Sequence, residues 1–254
     1  MTADRAAGGP AGGAAPAGPA QTFPPLHDLA RVPRGPVLVV APHPDDEIIG
    51  CGGAIALHVR RGDAVHVALV TRGEGGGDGR ARLAESRASA ALLGGTQVSC
   101  LDSSDGAVAS DGALAGRLAG LLARVAPRVV YAPSPWEMHP DHVATLDAVG
   151  AALGGRADVT LLLYEVNTEG MASFLLDITP VAGAKRAALS AFASQLGRID
   201  IVDKADARGR ARTVNVDLPE VTHAEAFLEL PPARLREARE RLAELSRALG
   251  LHPR

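Results

Sequence analysis

The chain has few aromatic residues, few cysteines and no strong excess of charge. Aromatic residues make up 3% of its 254 residues, there are two cysteines, and the formal net charge is −3 at pH 7. So small a charge gives no general attraction to nucleic acid or anionic lipid, and scarce aromatic rings argue against a platform for stacked bases. Two cysteines cannot build a disulfide framework or a cysteine-only zinc site. We therefore expect no nucleic-acid partner and no disulfide-stapled miniprotein.

Long hydrophobic runs are also missing. No uninterrupted apolar segment nears the roughly 18 residues that a membrane-spanning helix needs. Residues 1–24, which are rich in alanine, glycine and proline, lack the continuous apolar segment of a signal peptide. We expect no membrane partner and a cytoplasmic location. Residues 1–24 are predicted to be a disordered tail, followed by one domain over residues 25–254.

Short apolar runs alternate with helical patterns along the rest of the chain. The predicted strands lie at 37–41, 64–71, 128–132, 160–166 and 213–218, and the predicted helices at 48–61, 80–93, 114–125, 140–153, 181–196 and 232–249. This alternation is typical of an α/β fold with a mostly parallel sheet and helices on both faces. We predict a single Rossmann-like domain whose ligand site lies beyond the carboxyl ends of the strands.

A cluster of polar residues, His43-Pro44-Asp45-Asp46-Glu47, follows the first predicted strand. Polar residues directly after a buried strand are costly unless they have partners or a function. His43 and Asp46 are three residues apart at a strand-to-helix turn, and their imidazole nitrogen and carboxylate oxygen suit Zn²⁺, Fe²⁺ or Mn²⁺. Asp45 projects in a different direction, where it could hold a water molecule instead of the metal.

A similar cluster, His139-Pro140-Asp141-His142, follows the strand predicted at 128–132 and begins a helix. His139 and His142 are three residues apart, so both can face one site. A lone His-Pro-Asp sequence is usually only a helix start, with proline at the first position and aspartate complementing the helix dipole. Two such sequences, each after a candidate strand, in a chain with eight histidines favour one shared metal site.

These two motifs, with Gly50-Cys51-Gly52-Gly53 after the first, resemble the LmbE/PIG-L family of zinc-dependent N-deacetylases. The resemblance covers about residues 36–230, and its further landmarks are Arg72-Gly73-Glu74-Gly75, Arg82, Glu85, Leu93-Gly94, Leu176-Asp177-Ile178-Thr179, Lys185, Ser194-Gln195 and Glu225-Ala226-Phe227. It implies an LmbE-like, Rossmann-like fold and removal of acetyl from N-acetylglucosaminyl compounds.

The resemblance also implies the roles of particular residues. His43, Asp46 and His142 would bind the metal and leave an open position for water, as in hydrolytic zinc sites. Zn²⁺ is the implied cofactor, although two histidines and an aspartate also accept Fe²⁺ or Co²⁺. Asp45 would be the general base, and His139 would assist the tetrahedral intermediate.

General chemistry is consistent with those roles. A metal lowers the pKa of bound water to roughly 7, and an adjacent carboxylate can take a proton as the water attacks an amide. A protonated His139 can stabilise the oxyanion. Either Asp45 or His139 can protonate the leaving amine. By the same resemblance Arg82 and Asp105 would contact the sugar, with Asp102 competing with Asp105 for that place.

Two positions depart from the family pattern and leave the substrate open. Glu137 stands where some relatives have a tyrosine or another sugar-contacting group, and His223 stands where many have a tyrosine. His223 could replace that tyrosine or simply be exposed. We interpret His58 and His66 as structural, and Cys51 as a small buried residue, with a ligand role as its minor alternative.

We therefore predict a metal-dependent hydrolase that removes an acetyl group from an N-acetylglucosaminyl glycoside or glycoconjugate, with Asp45 as general base. One alternative is an amidase of the same family that cleaves sugar thiol conjugates, and another is a non-catalytic metal- or sugar-binding protein. The expected partner is a small amino-sugar substrate. The Arg/Glu-rich C-terminal helix is interpreted as a solvated face that could also mediate a homo-oligomer.

Overall fold

The apolar runs of the sequence form a central sheet in the computed structural model, which describes residues 22–250. Every residue of two neighbouring strands, Val37–Ala41 and Val129–Pro133, is buried, which explains why they are continuous apolar runs in the sequence. Most of the predicted tail, residues 1–21, lies outside the described residues. The strands are β1 Leu26–His27, β2 Val37–Ala41, β3 Val65–Leu69, β4 Gln97–Cys100, β5 Val129–Pro133, β6 Thr160–Tyr164, β7 Phe174–Asp177 and β8 Ala224–Glu229.

Helices cover both faces of the sheet. They are α1 Asp46–Arg61, α2 Gly79–Leu92, α3 Leu114–Val125, α4 Pro140–Leu153, α5 Ala182–Leu189, α6 Ala193–Leu196, α7 Ile201–Ala211 and α8 Leu235–Ala248. Successive β2 residues alternate between two cores: Val37 and Val39 pack with α1 and α5, whereas Leu38 and Val40 pack with α3 and α4. Within residues 22–250, no helix is both long and apolar enough to cross a membrane.

The strand order fixes where a ligand would bind. It is β1-β7-β8-β6-β5-β2-β3-β4, and all neighbours are parallel except the two pairs that include β8. From β2 the chain moves outward to β3 and β4, and then returns to the other side of β2 to form β5 and β6. The direction changes between β2 and β5, so the carboxyl ends of these two strands flank the ligand crevice. The predicted α/β fold class is confirmed.

Several predicted elements differ from the structure. The strand predicted at 213–218 is wrong: turns follow α7 there, and the Thr213 hydroxyl donates to the backbone oxygen of Arg210 at 2.8 Å. The sheet instead gains β8, and β1, β4, β7 and α7 were not predicted. The helix predicted at 181–196 is two short helices, α5 and α6, because the backbone leaves the helical conformation at the fully buried Phe192.

Helix α1, which begins at the candidate metal site, is held by a buried ion pair. Its backbone kinks at Cys51, where φ is −141°. The Glu225 carboxylate accepts hydrogen bonds from the backbone N–H groups of Gly53 and Ala54, at 2.7 and 2.8 Å. Lys185 Nζ lies 2.8 Å from the same carboxylate. Strand β8 and helix α5 therefore fix the part of α1 that follows the kink.

Candidate metal centre

Three predicted metal ligands meet at the carboxyl ends of β2 and β5. His43 lies in the turn after β2, Asp46 is the first residue of α1, and His142 lies in the first turn of α4. His43 Nδ1 and His142 Nε2 lie 3.1 and 3.2 Å from the same oxygen, Asp46 Oδ2. The three residues form a group whose donor atoms lie within 4.8 Å of one another. Two imidazoles and a carboxylate are a donor set that suits a divalent transition metal.

Carboxylates also contact the outer nitrogens of both imidazoles. Glu137 Oε2 lies 3.1 Å from His142 Nδ1. Asp141 Oδ2 and Asp105 Oδ1 lie 3.2 and 3.1 Å from His43 Nε2. A carboxylate on the outer nitrogen fixes the tautomer and the ring orientation, and so directs the inner nitrogen to a metal. The residues present therefore fit a metal ion. A second possible ligand group, His43, His139 and Asp141, shares His43 with the first.

The electrostatics of the centre favour positive charge beside Asp46. Burial lowers the pKa of His43 and of His142, but their hydrogen bonds to Asp46 and its negative charge outweigh burial. The net effect raises the pKa of His43 to about 9 and that of His142 to about 10. Burial would raise the pKa of Asp46, yet the two histidines hold it well below its usual range. A divalent cation would supply the positive charge that this arrangement stabilises.

Asp45 has an unusual backbone conformation, with a φ of 103°. Such a conformation is rare for a residue other than glycine and is often retained at functional sites. Its Oδ2 lies 3.1 Å from Arg82 Nη2. Burial and the negative charge of Asp46 raise the pKa of Asp45, and Arg82 offsets part of that rise. The structure therefore places a second carboxyl group, with a high proton affinity, next to the metal ligands.

Arg82 is buried beneath the glycine-rich loop, residues 73–79, that follows β3. Its guanidinium donates to the backbone oxygens of Gly73 and Pro44, at 2.8 and 2.6 Å, in addition to its contact with Asp45. A Cβ at Gly73 would overlap the guanidinium, and Gly73 has a φ of 70°. Arg82 Nε is buried without a hydrogen-bond partner among residues 22–250. Arg82 thus links the turn after β2 to the glycine-rich loop.

Asp105, but not Asp102, reaches the centre. Asp105 Oδ2 accepts a hydrogen bond from the backbone N–H of Gly75 at 2.7 Å, while its Oδ1 faces His43. Asp102 is exposed and pairs with Arg72, with 2.7 Å between Oδ1 and Nε. Of these two residues Asp105 is the one that lies at the centre, and its contact with a sugar stays a prediction.

His139 is an exposed residue at the rim of the centre. Its ring centroid lies 5.0 Å from that of His43, and its Nδ1 accepts a hydrogen bond from the backbone N–H of Asp141 at 3.2 Å. Since Nδ1 accepts, the proton of the neutral ring is on Nε2. Burial and the charges of His43 and His142 lower the pKa of His139. A neutral His139 with an Nε2–H donor, and not the protonated ring expected from the sequence, is therefore the form that this environment favours near pH 7.

The sequence reasoning missed the buried carboxylates that support the centre. Asp141 accepts hydrogen bonds from the backbone N–H groups of Gly106 and Val108, at 2.7 and 3.2 Å. Glu47 accepts from the Asp45 backbone N–H, and burial raises the pKa of Glu47 to about 7. Both residues lie inside the two sequence motifs, so their position was the available signal. The partners of Asp141 are distant in the sequence, and the partner of Glu47 is a backbone group. A sequence motif shows neither kind of contact.

The remaining residues that the sequence singled out lie in other contacts. His223 Nε2 lies 3.2 Å from Asp206 Oδ1. The Cys51 thiol donates to the backbone oxygen of Glu47 at 3.3 Å, and neither possible metal group includes it. His58 and His66 contact side chains away from the centre, which agrees with their structural interpretation.

The chain is similar to a known family and to several known proteins. The model of the PIG-L family, described as GlcNAc-PI de-N-acetylase, matches residues 38–153, which include both His-Pro-Asp motifs. Diacetylchitobiose deacetylase from Thermococcus kodakarensis is 32% identical over 130 residues, which are 46% of this chain and 47% of that protein. The chain thus spans about half the length of the curated relatives that it matches.

Solved structures cover more of the chain. The conserved protein TT1542 from Thermus thermophilus is 33% identical, with a TM-score of 0.70, and the match covers 77% of this chain and 94% of that one. The 4-carboxy-2-hydroxymuconate hydratase GalB from Pseudomonas putida KT2440 is 27% identical, with a TM-score of 0.67. That match covers 77% of this chain and 96% of GalB. Together with the two motifs and the fold, these matches show that the chain belongs to the PIG-L/LmbE family.

Proposed function

We propose that this chain is a metal-dependent hydrolase that removes the acetyl group from an N-acetylglucosaminyl glycoside or glycoconjugate. One observation carries the proposal: a second carboxyl group, Asp45, stands beside the donor set of His43, Asp46 and His142. A site that only stores a metal needs no such group. The similarity to a diacetylchitobiose deacetylase supports the same class of substrate.

The proposed metal is Zn²⁺, and the same donors also suit Fe²⁺ or Co²⁺. When bound, it would polarise the amide carbonyl and make the attacking water more acidic. Asp45 accepts the proton of that water as the new C–O bond forms. Arg82 holds Asp45 through Oδ2 and so acts as a positioning residue for the base. A direct contact between Arg82 and the sugar stays a prediction.

His139 stabilises the oxyanion through its Nε2–H group. Its Nδ1 is already engaged by a backbone N–H, so the neutral ring has the required donor on the other nitrogen. Asp45 then returns its proton to the amine nitrogen as the C–N bond breaks. The products are acetate and a free amino sugar, and Asp45 is ready for another cycle. Asp105, held by the glycine-rich loop, is the proposed sugar-contacting acid.

The test measures free-amine release from a panel of N-acetylglucosaminides by purified protein, before chelation, after chelation and after addition of Zn²⁺. The panel includes inositol, malate, aminocyclitol and alkyl glycosides. We expect release from at least one of them, loss on chelation and recovery with metal. Release only from sugar thiol conjugates would favour the amidase. Bound metal with no release, or water addition to an unsaturated carboxylic acid, would contradict the proposed function.

A further inference from the structure

Two exposed methionines lie in the loops that follow β5 and β6, on the same side of β2. The sequence has three methionines, one of them Met1, and a single tryptophan. Met138 is 59% exposed directly before His139, and Met171 is 73% exposed in the loop between β6 and β7. Both internal methionines of a methionine-poor chain therefore face solvent, where their apolar side chains gain no free energy from burial.

Trp136 connects the two methionines. It lies two residues before Met138, and its indole Nε1 donates a hydrogen bond to the backbone oxygen of Met171 at 3.3 Å. Gly170 packs so closely against the indole that a Cβ at that position would overlap the ring. The loops that carry Trp136, Met138 and Met171 therefore meet, and we call the surface formed by these three residues the apolar ledge.

Glu137 ties the apolar ledge to the metal centre. Its carboxylate accepts hydrogen bonds from the backbone N–H groups of Val166, Asn167 and Thr168, at 2.7, 3.1 and 3.3 Å. The same carboxylate contacts His142 Nδ1. One buried side chain therefore fixes both loops that carry the ledge and one of the three donor residues, so the ledge keeps its place beside the centre.

The apolar ledge lies on one side of β2, and the groups proposed to bind the sugar lie on the other. In the sheet order β6-β5-β2-β3-β4, the loops after β5 and β6 lie on one side of β2, and the loops after β3 and β4 lie on the other. The latter loops carry Gly75 and Asp105, the sugar side of the proposed function. An amide has its sugar on nitrogen and its acyl group on the carbonyl carbon. A sugar on the polar side therefore directs the acyl group towards the ledge.

We propose that the apolar ledge binds the acyl chain of the substrate, and that alkyl chains longer than acetyl are accepted. The inference rests on the proposed function, because it concerns the substrate of the same site. Methionine side chains suit chains of different length because they are flexible and polarizable. Water adds to the amide carbonyl, the C–N bond breaks, Asp45 returns the proton to the amine, and a longer carboxylate leaves in place of acetate.

The test compares amine release from the methyl glycosides of N-acetyl- and N-hexanoylglucosamine by the zinc-loaded protein. We expect wild-type kcat/KM for the hexanoyl substrate to equal or exceed that for the acetyl substrate. In the double variant Met138→Ser/Met171→Ser, the hexanoyl-to-acetyl ratio should fall about tenfold, because several methylene groups lose apolar cover. Leu92→Ser, which changes a 56% exposed leucine on α2, is the control and should keep the wild-type ratio. An unaltered ratio in the double variant would overturn the proposal.

Trp136 gives a second readout that does not require turnover, because it is the single tryptophan. In zinc-loaded Asp45→Asn protein, N-hexanoylglucosamine should shift the fluorescence emission of Trp136 to shorter wavelength more than N-acetylglucosamine does. A shift without amine release by wild-type protein would support the ledge and contradict the proposed function. Turnover without a shift would overturn the ledge alone. An emission shift caused only by an octyl glycoside would indicate that the ledge binds the aglycone. An emission shift that depends on protein concentration would indicate contact between copies of the chain. Either outcome would overturn the proposal.

Discussion

At the scale of single residues, Asp45 combines backbone strain with the proposed role of general base. Its φ of 103° costs free energy that a glycine would not incur. The backbone N–H of Asp45 donates to Glu47 at 2.9 Å, and its side chain contacts Arg82, so neighbouring groups hold the strained conformation. The strained residue is thus the one that we propose as the general base, beside the candidate metal ligands.

Asp45→Asn tests this assignment directly. Asparagine tolerates positive φ and keeps a side-chain oxygen for Arg82, but it cannot accept a proton. We expect turnover to fall by at least about 10²-fold while the bound metal per chain stays at the wild-type level. Amine release and elemental analysis measure the two quantities. His142→Ala, in contrast, should lose metal and activity together, and an Asp45→Asn protein as active as wild type would disprove the role of the base.

Glu137→Gln tests whether the outer carboxylate fixes His142. An amide N–H facing Nδ1 would favour the tautomer with its proton on Nε2, the nitrogen that faces Asp46. We expect zinc affinity to fall about 10- to 100-fold, as for other outer-shell partners of metal ligands. Competition with a chromophoric chelator measures the Kd. Asp102→Asn removes an exposed carboxylate outside the centre and should leave the Kd unchanged; equal affinities in both variants would contradict the prediction.

At the scale of elements, His58 joins helix α1 to strand β5. Its ring nitrogens lie 2.8 Å from Asp63 Oδ2 and 2.9 Å from the Tyr131 hydroxyl. Burial lowers the pKa of His58 below the ordinary value of 6.5, although the hydrogen bond to Asp63 offsets part of the effect. The neutral ring is therefore the form that stabilises this junction.

The sign of the resulting pH dependence follows from linkage. Because the folded pKa of His58 is lower than the unfolded value of 6.5, the unfolded chain binds more protons between the two values. The free energy of unfolding should therefore fall as the pH drops below 6.5. Urea unfolding of wild type and His58→Gln on both sides of that pH measures the effect, and the slope should be smaller in the variant, by at most about 1.4 kcal/mol per pH unit. Equal slopes would contradict the prediction.

The central elements could be predicted from the sequence, whereas the outer ones could not. Strands β2 and β5 are buried on both faces, so they appear as apolar runs that need no distant information. Strand β8 contains the buried Glu225, whose partner Lys185 lies 40 residues earlier. That carboxylate interrupts the apolar pattern, and only tertiary packing compensates its charge. Local pattern alone therefore favoured 213–218 over the true strand.

At the scale of the whole molecule, the same distinction applies to the candidate site. The two short motifs could be placed at one site because parallel strands bring their carboxyl ends to one edge. The choice of His43, Asp46 and His142 within them came from the family resemblance. The burial of Arg82 could not be predicted, since it depends on how α2 packs under the glycine-rich loop. The contacts of Glu137 could not be predicted either, because its backbone partners at 166–168 follow a different strand.

We expect metal at the candidate centre to link the folding of distant parts of the chain. Its donors come from the turn after β2, from α1 and from α4 after β5, so a metal would bind the folded chain in preference to the unfolded one. Zn²⁺ at 100 times its Kd should add about 2.7 kcal/mol to the free energy of unfolding. For a domain of this size that corresponds to a rise in Tm of about 5 to 10 °C.

Calorimetry before chelation, after chelation and after addition of Zn²⁺ measures this effect. The Tm should fall on chelation and recover with Zn²⁺. His142→Ala should show neither, because its donor set is incomplete. A wild-type Tm that stays constant after the metal has been removed would show that the centre does not contribute to stability.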